Sequence, residues 1–391
     1  MNPPTEFELL LCLARVSLRA SDEARARAIL GRGGFDWELF HSLAWRHGLM
    51  PLAFRHLLER FAAHVPEAHL ARAREDFRHN SARNLLLASE LRGVLDALAA
   101  EGVAAVAYKG PALAVQVYGD LKLRSFVDLD VLVRRADAER AGRVLASVGY
   151  RPHLSLTPAQ EAMLARSECD RVYFKEGRGV MLELHWAVAP PYFSLALETE
   201  DVLDGATRVE LCGREVVTPS AEMLLLLLCV NGAKDLWRAL EPLCAVAELS
   251  RARGGVDWPR VVRLARRAGA LRMLFVGLLL ARDLLDAPLP AEVARLADSD
   301  RAARRLAGEA SRRLAERETR APGLAEETRF RVAARERLRE RARYCALRLL
   351  TPTYRDCSFE LPPALRFVYY VLRPLRLLGG VLKRPASKPV L

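Results

Sequence analysis

The chain has 391 residues, 51% of them hydrophobic, which is enough apolar material for the cores of two or three domains and excludes a disordered tail. Its formal net charge of +12 comes mainly from arginine, since only six of the 60 basic residues are lysine. Seven scattered cysteines with no CxxC pair argue against a disulfide framework and against a zinc site, and they favour a reducing compartment such as the cytoplasm.

The N-terminus and the apolar runs predict a cytoplasmic protein without a membrane span. The first residues lack a basic region, and Arg15 and Arg19 interrupt the apolar stretch, so we identify no secretory signal. The runs Met223–Val230 and Met273–Ala281 are too short to cross a bilayer. The segment Leu365–Leu382, which contains three arginines, is predicted instead to form an amphipathic basic helix that makes peripheral contact with a membrane.

Residues 1–93 form a predicted N-terminal helical region, because they lack the alternation of a strand. Asp36 precedes an amphipathic stretch that ends near Ala44. Gly48 and Pro51 then mark a break before the next helix. His47 is predicted to cap or pack within the N-terminal helices.

Residues 94–218 are predicted to form a small mixed β-sheet flanked by helical regions, which gives the chain an α+β fold class. The pattern changes here from helical periodicity to short apolar runs bounded by turns. The predicted elements, in chain order, are the strand Val103–Tyr108, the helix Ala112–Tyr118, the strand Phe126–Val133, the helix Ala136–Val148, a hairpin of Cys169–Lys175 and Val180–Trp186, and a second hairpin at Arg208–Thr218.

The rest of the chain is predicted to be helical in two parts. Residues 219–290 form a helical domain that completes a cleft beside the sheet, and residues 291–391 form an Arg-rich helical C-terminal region. The positive charge allows a nucleic-acid partner. The mixed Glu and Arg pattern of Ala307–Arg343 is more typical of solvated helices with i,i+4 ion pairs, so a nucleic-acid partner is not favoured.

Two aspartates on the second predicted strand carry the main functional signal. Residues i and i+2 of a strand point to the same side, about 6.5–7 Å apart, so Asp128 and Asp130 present their carboxylates to one face. Such anions repel each other unless a cation lies between them, and Mg²⁺ is commonly held by carboxylates plus substrate phosphates. Glu183, on the same strand face as His185, would complete a two-metal site. Asp128, Asp130 and Glu183 are therefore the predicted catalytic ligands of Mg²⁺ or Mn²⁺.

Lys109 and Gly110 end the strand that precedes this acidic strand, and they are predicted to bind phosphate. A glycine lets backbone approach a phosphate closely, and lysine supplies a compact positive charge. Arg124 lies four residues before Asp128. It is predicted to contact the same phosphates or to brace the acidic strand, with a plain surface arginine as the alternative.

The sequence resembles a bacterial nucleotidyltransferase family of the DNA polymerase β-like superfamily over residues 35–290. Members carry KG-x-x-L followed by R-x-x-D-[IL]-D-[IL]-LV. The corresponding residues here are Lys109-Gly110-Pro111-Ala112-Leu113 and Arg124 through Val133, with three residues instead of two between Arg124 and Asp128. Further similarity lies in Trp37–Ala44, His47 and Pro51, in the ELHW strand Leu182–Trp186, and in Asn231–Trp237, where the family has HGAKHxW.

The resemblance implies transfer of a nucleoside monophosphate from a nucleoside triphosphate such as ATP to an acceptor hydroxyl, with release of pyrophosphate. By analogy, Glu183 draws off the acceptor's proton. Lys234 reaches the triphosphate from the helical side, or is a surface lysine. His185 is an acceptor-side base or, as we prefer, orients a metal ligand. The acceptor, whether a small molecule, a peptide, a protein or an RNA end, stays open.

Four departures from the family pattern bear on nucleotide choice, acceptor binding and activity. Asn231 and Asp235 stand where the family has histidines, Ala245 stands where an aspartate is expected, and Pro111-Ala112 replaces a small hydroxyl residue. They leave two alternatives open. One is a nucleotide-binding pseudoenzyme with a regulatory role, and the other is an RNA-modifying toxin-like nucleotidyltransferase that uses the Arg-rich region as an electrostatic platform.

Overall fold

The computed structural model describes residues 3–252, 254–317, 320–356 and 367–382. It combines a large helical frame with one five-stranded mixed sheet, which confirms the predicted α+β class. The predicted core strands and both predicted hairpins are present. Each strand begins or ends within a few residues of the position expected from the apolar pattern.

The five-stranded sheet has the strand order β1-β2-β5-β4-β3. Strands β2 and β5 are parallel, whereas β1 with β2, β5 with β4 and β4 with β3 are antiparallel. A separate antiparallel hairpin contains β6 and β7. The strands are β1 (Ala105–Ala107), β2 (Asp128–Val133), β3 (Tyr150–Pro152), β4 (Asp170–Lys175), β5 (Val180–His185), β6 (Ala206–Leu211) and β7 (Arg214–Pro219).

Helices precede, cover and follow the sheet. They are α1 (Thr5–Leu13), α2 (Ala20–Leu30), α3 (Trp37–Arg46), α4 (Met50–Arg60), α5 (Glu67–Ala100), α6 (Gly110–Leu113), α7 (Ala138–Ser147), α8 (Pro158–Ser167), α9 (Thr199–Asp204), α10 (Ala221–Lys234), α11 (Glu241–Arg251), α12 (Trp258–Ala268), α13 (Leu271–Leu285), α14 (Ala291–Ser299), α15 (Arg301–Leu314), α16 (Leu324–Ala333), α17 (Leu338–Leu350) and α18 (Phe367–Leu382).

The structure differs from the sequence prediction at several places between residues 94 and 218. Helices α8 and α9 have no predicted counterpart. The helix expected at Ala112–Tyr118 begins earlier, as α6, and continues as a π-helical turn, Ala114–Tyr118. Strand β3 has only three residues and was not predicted, because so short a run carries no periodicity of its own. It exists because its backbone pairs with β4.

One face of the sheet is apolar and covered by helices, and this leaves the other face for polar side chains. Leu129, Val131 and Val133 of β2 are fully buried in a cluster with apolar residues of α5 and α7. Leu182 and Leu184 of β5 belong to the same cluster. Since neighbouring residues of a strand point to opposite faces, the alternate residues of β2 and β5 face away from this cluster.

Helix α5 also fixes the β4–β5 hairpin electrostatically. Glu90 is buried, and its carboxylate accepts hydrogen bonds from Lys175 at 2.9 Å and from Arg178 at 2.5 Å. Lys175 ends β4, and Arg178 lies in the turn before β5. The hairpin that carries the ELHW segment is therefore tied to the helix that covers the sheet.

The Arg-rich region pairs many of its charges internally. Arginines of α15 and α16 form ion pairs with Glu309, Glu326 and Glu327. Apolar residues from the N-terminal region, from 219–290 and from the C-terminal helices share one hydrophobic cluster, so the proposed division at residues 93, 218 and 290 remains a sequence prediction.

The predicted C-terminal amphipathic segment corresponds to α18, while Leu365 and Arg366 lie outside the described residues. Tyr369 and Arg373 are buried, and Arg373 pairs with Asp356 at 3.1 Å. Tyr370, Val371 and Leu375 are exposed. No helix in the described part of the chain is long and apolar enough to span a membrane.

Three histidines are buried among the N-terminal helices. Burial lowers the pKa of His41 and of His56 to about 4 and that of His47 to about 3, from 6.5. Neither ring nitrogen of His41 has a hydrogen-bond partner among the described residues, and its ring lies 4.8 Å from that of Phe54. The folded state therefore holds these side chains neutral at pH values where the unfolded chain is protonated.

The unfolding free energy is expected to fall as the pH drops from about 6.5 towards 4, by up to about 1.4 kcal/mol per pH unit for each buried histidine. The sign follows from the lowered pKa values, because the unfolded chain binds more protons in this range. His41→Phe should reduce the difference between urea unfolding free energies at about pH 7.5 and 5.5. The exposed His153→Gln is the control. If His41→Phe shows the same difference between the two pH values as the wild type, the assignment of His41 as a buried neutral side chain is contradicted.

Candidate functional site

The parallel pairing of β2 with β5 assembles the acidic site. Asp130 lies directly opposite Glu183, and Asp128 lies opposite Met181. In-register neighbours on parallel strands point to the same face, so all three carboxylates lie on the side opposite the α5–α7 cluster. The structure therefore places the three acidic residues on one face of the sheet, with Asp130 and Glu183 adjacent and Asp128 two residues further along β2.

Asp130 is the buried centre of this group, with 3% of its surface exposed. Its Oδ1 accepts a hydrogen bond from Lys109 Nζ at 2.9 Å and lies 3.2 Å from His185 Nε2. Burial alone would raise the pKa of Asp130. The positive charge of Lys109 and the hydrogen bond from His185 outweigh burial and hold that pKa well below its usual value.

His185 bridges two of the carboxylates. Its Nε2 lies 3.2 Å from Glu183 Oε2 as well as from Asp130, and its ring meets the Tyr108 ring edge-on at 5.3 Å. Burial alone would lower the pKa of His185, but its polar neighbours raise it well above the usual value. The hydrogen bond from His185 in turn lowers the pKa of Glu183. This is the contact expected of a histidine that orients metal-ligand carboxylates.

The pKa of Asp128 reflects the excess negative charge of the site. Burial and the charges of Asp130 and Glu183 raise its pKa to about 6. Such a shift indicates that a further cation would be stabilised beside these carboxylates.

The donor set also fits a metal ion. Carboxylate oxygens of Asp130 and Glu183 lie within 4.8 Å of each other and of a His185 ring nitrogen, while Asp128 is not part of this group. Carboxylate oxygens are the ligands that Mg²⁺ and Mn²⁺ prefer. The residues present therefore fit a hard divalent ion.

Gly110 makes the strand-to-helix turn possible. It has a φ of +51°, and a Cβ at this position would lie 3.1 Å from the backbone oxygen of Asp128. A glycine is therefore needed both for the left-handed backbone and for the close approach of this turn to β2. The turn places Lys109 beside Asp130, where 27% of the lysine side chain stays exposed.

Arg124 braces the site from the side. Its Nε donates to Glu241 Oε1 at 2.5 Å, and its Nη1 donates to the carbonyl oxygen of Gly110 at 3.3 Å. Its own carbonyl accepts from the Asn84 side chain at 2.7 Å. These contacts link α5, α11 and the Lys109–Gly110 turn, and they leave little of the guanidinium surface exposed.

Lys234 lies at the end of α10, and its carbonyl oxygen accepts hydrogen bonds from Arg331. Burial raises the pKa of Cys169, and the Lys234 ammonium is close enough to oppose that rise. Among the described residues, no hydrogen bond or ion pair joins the Lys234 ammonium to Asp128, Asp130 or Glu183.

Sequence reasoning missed four neighbours of the site: Tyr108, Cys169, Asp170 and Glu241. The position of one of them, Asp170, could have been predicted from the hairpin pattern. The turn between β4 and β5 pairs Lys175 with Val180, and counting back along the antiparallel ladder places Asp170 opposite His185. Glu241 gave no such signal, since its contact with Arg124 joins residues far apart in the chain.

Comparison with known proteins gives one informative match. A family model described as uncharacterised nucleotidyltransferase matches residues 33–286, which is well over half of the chain and includes the sheet and its acidic face. No curated protein matches the chain at a significant level. The match agrees with the resemblance drawn from the KG and D-x-D motifs at the level of a nucleotidyltransferase family.

The backbone requirement at position 110 can be measured against a second glycine. Gly119 also has a positive φ, of +71°, but a Cβ there meets nothing within 4 Å. Gly119→Ala should lower the unfolding free energy by about 1–2 kcal/mol, the strain of a left-handed residue. Gly110→Ala should lower it further, because the methyl group presses on β2. If urea unfolding shows the same loss of unfolding free energy in both variants, the close approach of the turn to Asp128 is contradicted.

Proposed function

We propose that this chain, which belongs to the family of uncharacterised nucleotidyltransferases, transfers a nucleoside monophosphate from a nucleoside triphosphate to a hydroxyl group of an acceptor. Pyrophosphate would leave. The observation that carries the proposal is the shared face of β2 and β5, where Asp128, Asp130 and Glu183 lie beside Lys109. Phosphoryl-type transfer needs positioning and charge neutralisation more than covalent chemistry, and this face can supply both.

Asp128, Asp130 and Glu183 would hold Mg²⁺ or Mn²⁺. When bound, such an ion neutralises charge on the transferred phosphate and polarises the reacting oxygens. The protein's own contribution is to keep the carboxylates ionised and oriented. His185 does this for Asp130 and Glu183 through the two contacts of 3.2 Å.

Lys109 is the residue that we assign to the triphosphate. Its ammonium pairs with Asp130 at 2.9 Å while part of the side chain faces solvent. A flexible lysine can turn from a carboxylate to an incoming phosphate without unfolding the turn that carries it. Arg124, by contrast, is engaged by Glu241 and the Gly110 carbonyl, so we assign it the brace of the turn.

Glu183 is better placed than Asp130 to receive the acceptor's proton. Its side chain is 28% exposed, whereas that of Asp130 is 3% exposed and already contacts Lys109 and His185. A proton acceptor has to lie within hydrogen-bond reach of the incoming hydroxyl, and exposure makes that reach available. The chemical class of the acceptor stays open.

Part of the positive charge of the C-terminal region is neutralised internally, which weakens the case for an RNA-modifying toxin. Arg313, Arg329 and Arg331 pair with glutamates of the same region. Charges neutralised in this way are less available to phosphates of a nucleic acid. A small molecule, a peptide or a protein is the acceptor that we favour.

Because of the departures from the family pattern, experiment has to distinguish an active transferase from a nucleotide-binding pseudoenzyme. Ala245 is fully buried in the helical core, so an alanine suits its surroundings. Asn231 and Asp235 lie at the end of α10, on the same helix as Lys234. None of these residues alters the carboxylate face itself.

Label transfer tests the carboxylates. The wild type, incubated with each α-labelled nucleoside triphosphate, Mg²⁺ or Mn²⁺ and cell extract, should label an acceptor and release pyrophosphate. Asp130→Asn and Glu183→Gln should each lower the rate by about 100-fold or more, because each removes a charge that holds the ion. Glu176→Gln, which neutralises an exposed glutamate in the β4–β5 turn, should keep the wild-type rate.

The same assay distinguishes the rival function. If the wild type binds nucleotide but transfers no label with any nucleotide or extract, the chain is a nucleotide-binding pseudoenzyme. If the carboxylate variants keep the wild-type rate, the assigned site is wrong.

Lys109→Met should weaken binding of the nucleoside triphosphate. Loss of a charge-assisted contact to phosphate is worth about 1.5–3 kcal/mol, which corresponds to a rise of about 10-fold to 100-fold in the nucleotide Kd. Lys122→Met removes an exposed lysine from the loop before β2 and should leave the Kd unchanged. Calorimetric titration of both variants measures the difference. Equal Kd values for the two variants would remove Lys109 from the phosphate site.

A further inference from the structure

A second group of metal-ligand atoms lies on the other side of the His185 ring. Cys169 Sγ donates to Asp170 Oδ2 at 3.2 Å, and His185 Nδ1 lies 3.8 Å from the same oxygen. The sulfur, the carboxylate oxygen and a ring nitrogen all lie within 4.8 Å of one another. The absence of a CxxC pair argued against a zinc site in the sequence, but here Asp170 begins β4, Cys169 directly precedes it, and His185 ends the neighbouring strand β5.

His185 Nδ1 is a buried atom that faces the Cys169 thiol and the Asp170 carboxylate, and neither makes a hydrogen bond of normal geometry with it. The side chain is only 5% exposed, so solvent does little to satisfy this nitrogen. A buried polar atom left unpaired carries a free-energy penalty, and it often marks a missing ion or water.

The other ring nitrogen already has the contacts of a metal-bound histidine. Nε2 lies 3.2 Å from Asp130 and from Glu183. Metal-ligating histidines usually donate the proton of the second ring nitrogen to a carboxylate, which leaves a lone pair on the first. Zinc would displace the proton from Nδ1, and with the remaining proton on Nε2 His185 would direct that lone pair towards Cys169 and Asp170.

We propose that Cys169, Asp170 and His185 bind Zn²⁺ through Sγ, Oδ2 and Nδ1. In a tetrahedral zinc site with normal bond lengths, ligand atoms lie about 3.3–3.6 Å apart. The separations of 3.2 Å and 3.8 Å from Asp170 Oδ2 are close to those values, so small side-chain shifts complete the site. A thiolate ligand selects zinc over magnesium.

Backbone contacts keep the ligands in place. The Trp186 amide donates to the Cys169 carbonyl at 2.8 Å, and the Tyr354 hydroxyl donates to the Asp170 carbonyl at 2.8 Å. Sites built on strands hold their geometry better than sites on loops. Asp170 is 23% exposed, so the fourth coordination position can take water or a solute from solvent.

Zinc at this position would act on the acidic face through His185. A ring fixed by the ion on Nδ1 keeps its Nε2 directed at Asp130 and Glu183. Zinc binding itself does not depend on nucleotidyl transfer, so it can be measured whether or not the proposed reaction occurs.

Cobalt absorption tests the site on the whole protein. Chelator-treated protein titrated with Co²⁺ should develop a near-ultraviolet thiolate-to-metal charge-transfer band at one ion per chain. Zn²⁺ should displace the cobalt and abolish the band, while excess Mg²⁺ should not. Cys169→Ser should lose the band and lower the Zn²⁺ affinity by about 100-fold or more, and Asp170→Asn should lower that affinity by about 10-fold or more.

Two controls keep the test specific. Asp128→Asn alters the carboxylate face outside this group of ligands and should keep the band. A variant with Cys212, Cys345 and Cys357 replaced by serine should also keep it; the first two thiols are exposed, and Cys357 lies outside the described residues. Folded wild type that gives no charge-transfer band, or a band that survives in Cys169→Ser and disappears in the triple variant, would overturn the proposal.

Discussion

The parallel pairing of β2 with β5 is the constraint on which the site depends. Its register puts Asp130 beside Glu183 and leaves Asp128 on the same face, so three carboxylates share a partly buried space. Like charges at this spacing repel one another. The apolar faces of the same two strands, packed on α5 and α7, provide the burial that holds the strands together despite that repulsion.

His185 and Lys109 stabilise the ionised carboxylates of Asp130 and Glu183 when no metal ion is bound. Both contact Asp130 Oδ1, and His185 also contacts Glu183, so these two carboxylates each have a partner of opposite sign or a hydrogen bond. The same histidine leaves Nδ1 facing Cys169 and Asp170. One side chain therefore links a hard oxygen site, suited to Mg²⁺ or Mn²⁺, with a mixed sulfur, nitrogen and oxygen site suited to Zn²⁺.

Long-range contacts set the positions of the local motifs. Arg124 ties the Lys109–Gly110 turn to Glu241 on α11, and Glu90 on α5 holds the β4–β5 hairpin through Lys175. The C-terminal region, which lies beyond the family match, reaches the other end of β4 when Tyr354 bonds the Asp170 carbonyl. Rigid surroundings of this kind are what a site needs when its chemistry rests on positioning.

The sequence by itself determined the acidic strand, the Lys-Gly turn, both hairpins and the family, because these depend on local periodicity and on residues close together in the chain. It did not reveal strand β3, the partner of Arg124, or the meeting of Cys169 and Asp170 with His185. Those features arise when strands pair and helices pack. Only the tertiary structure decides which distant side chains then share a buried space, because register and packing are properties of the whole fold.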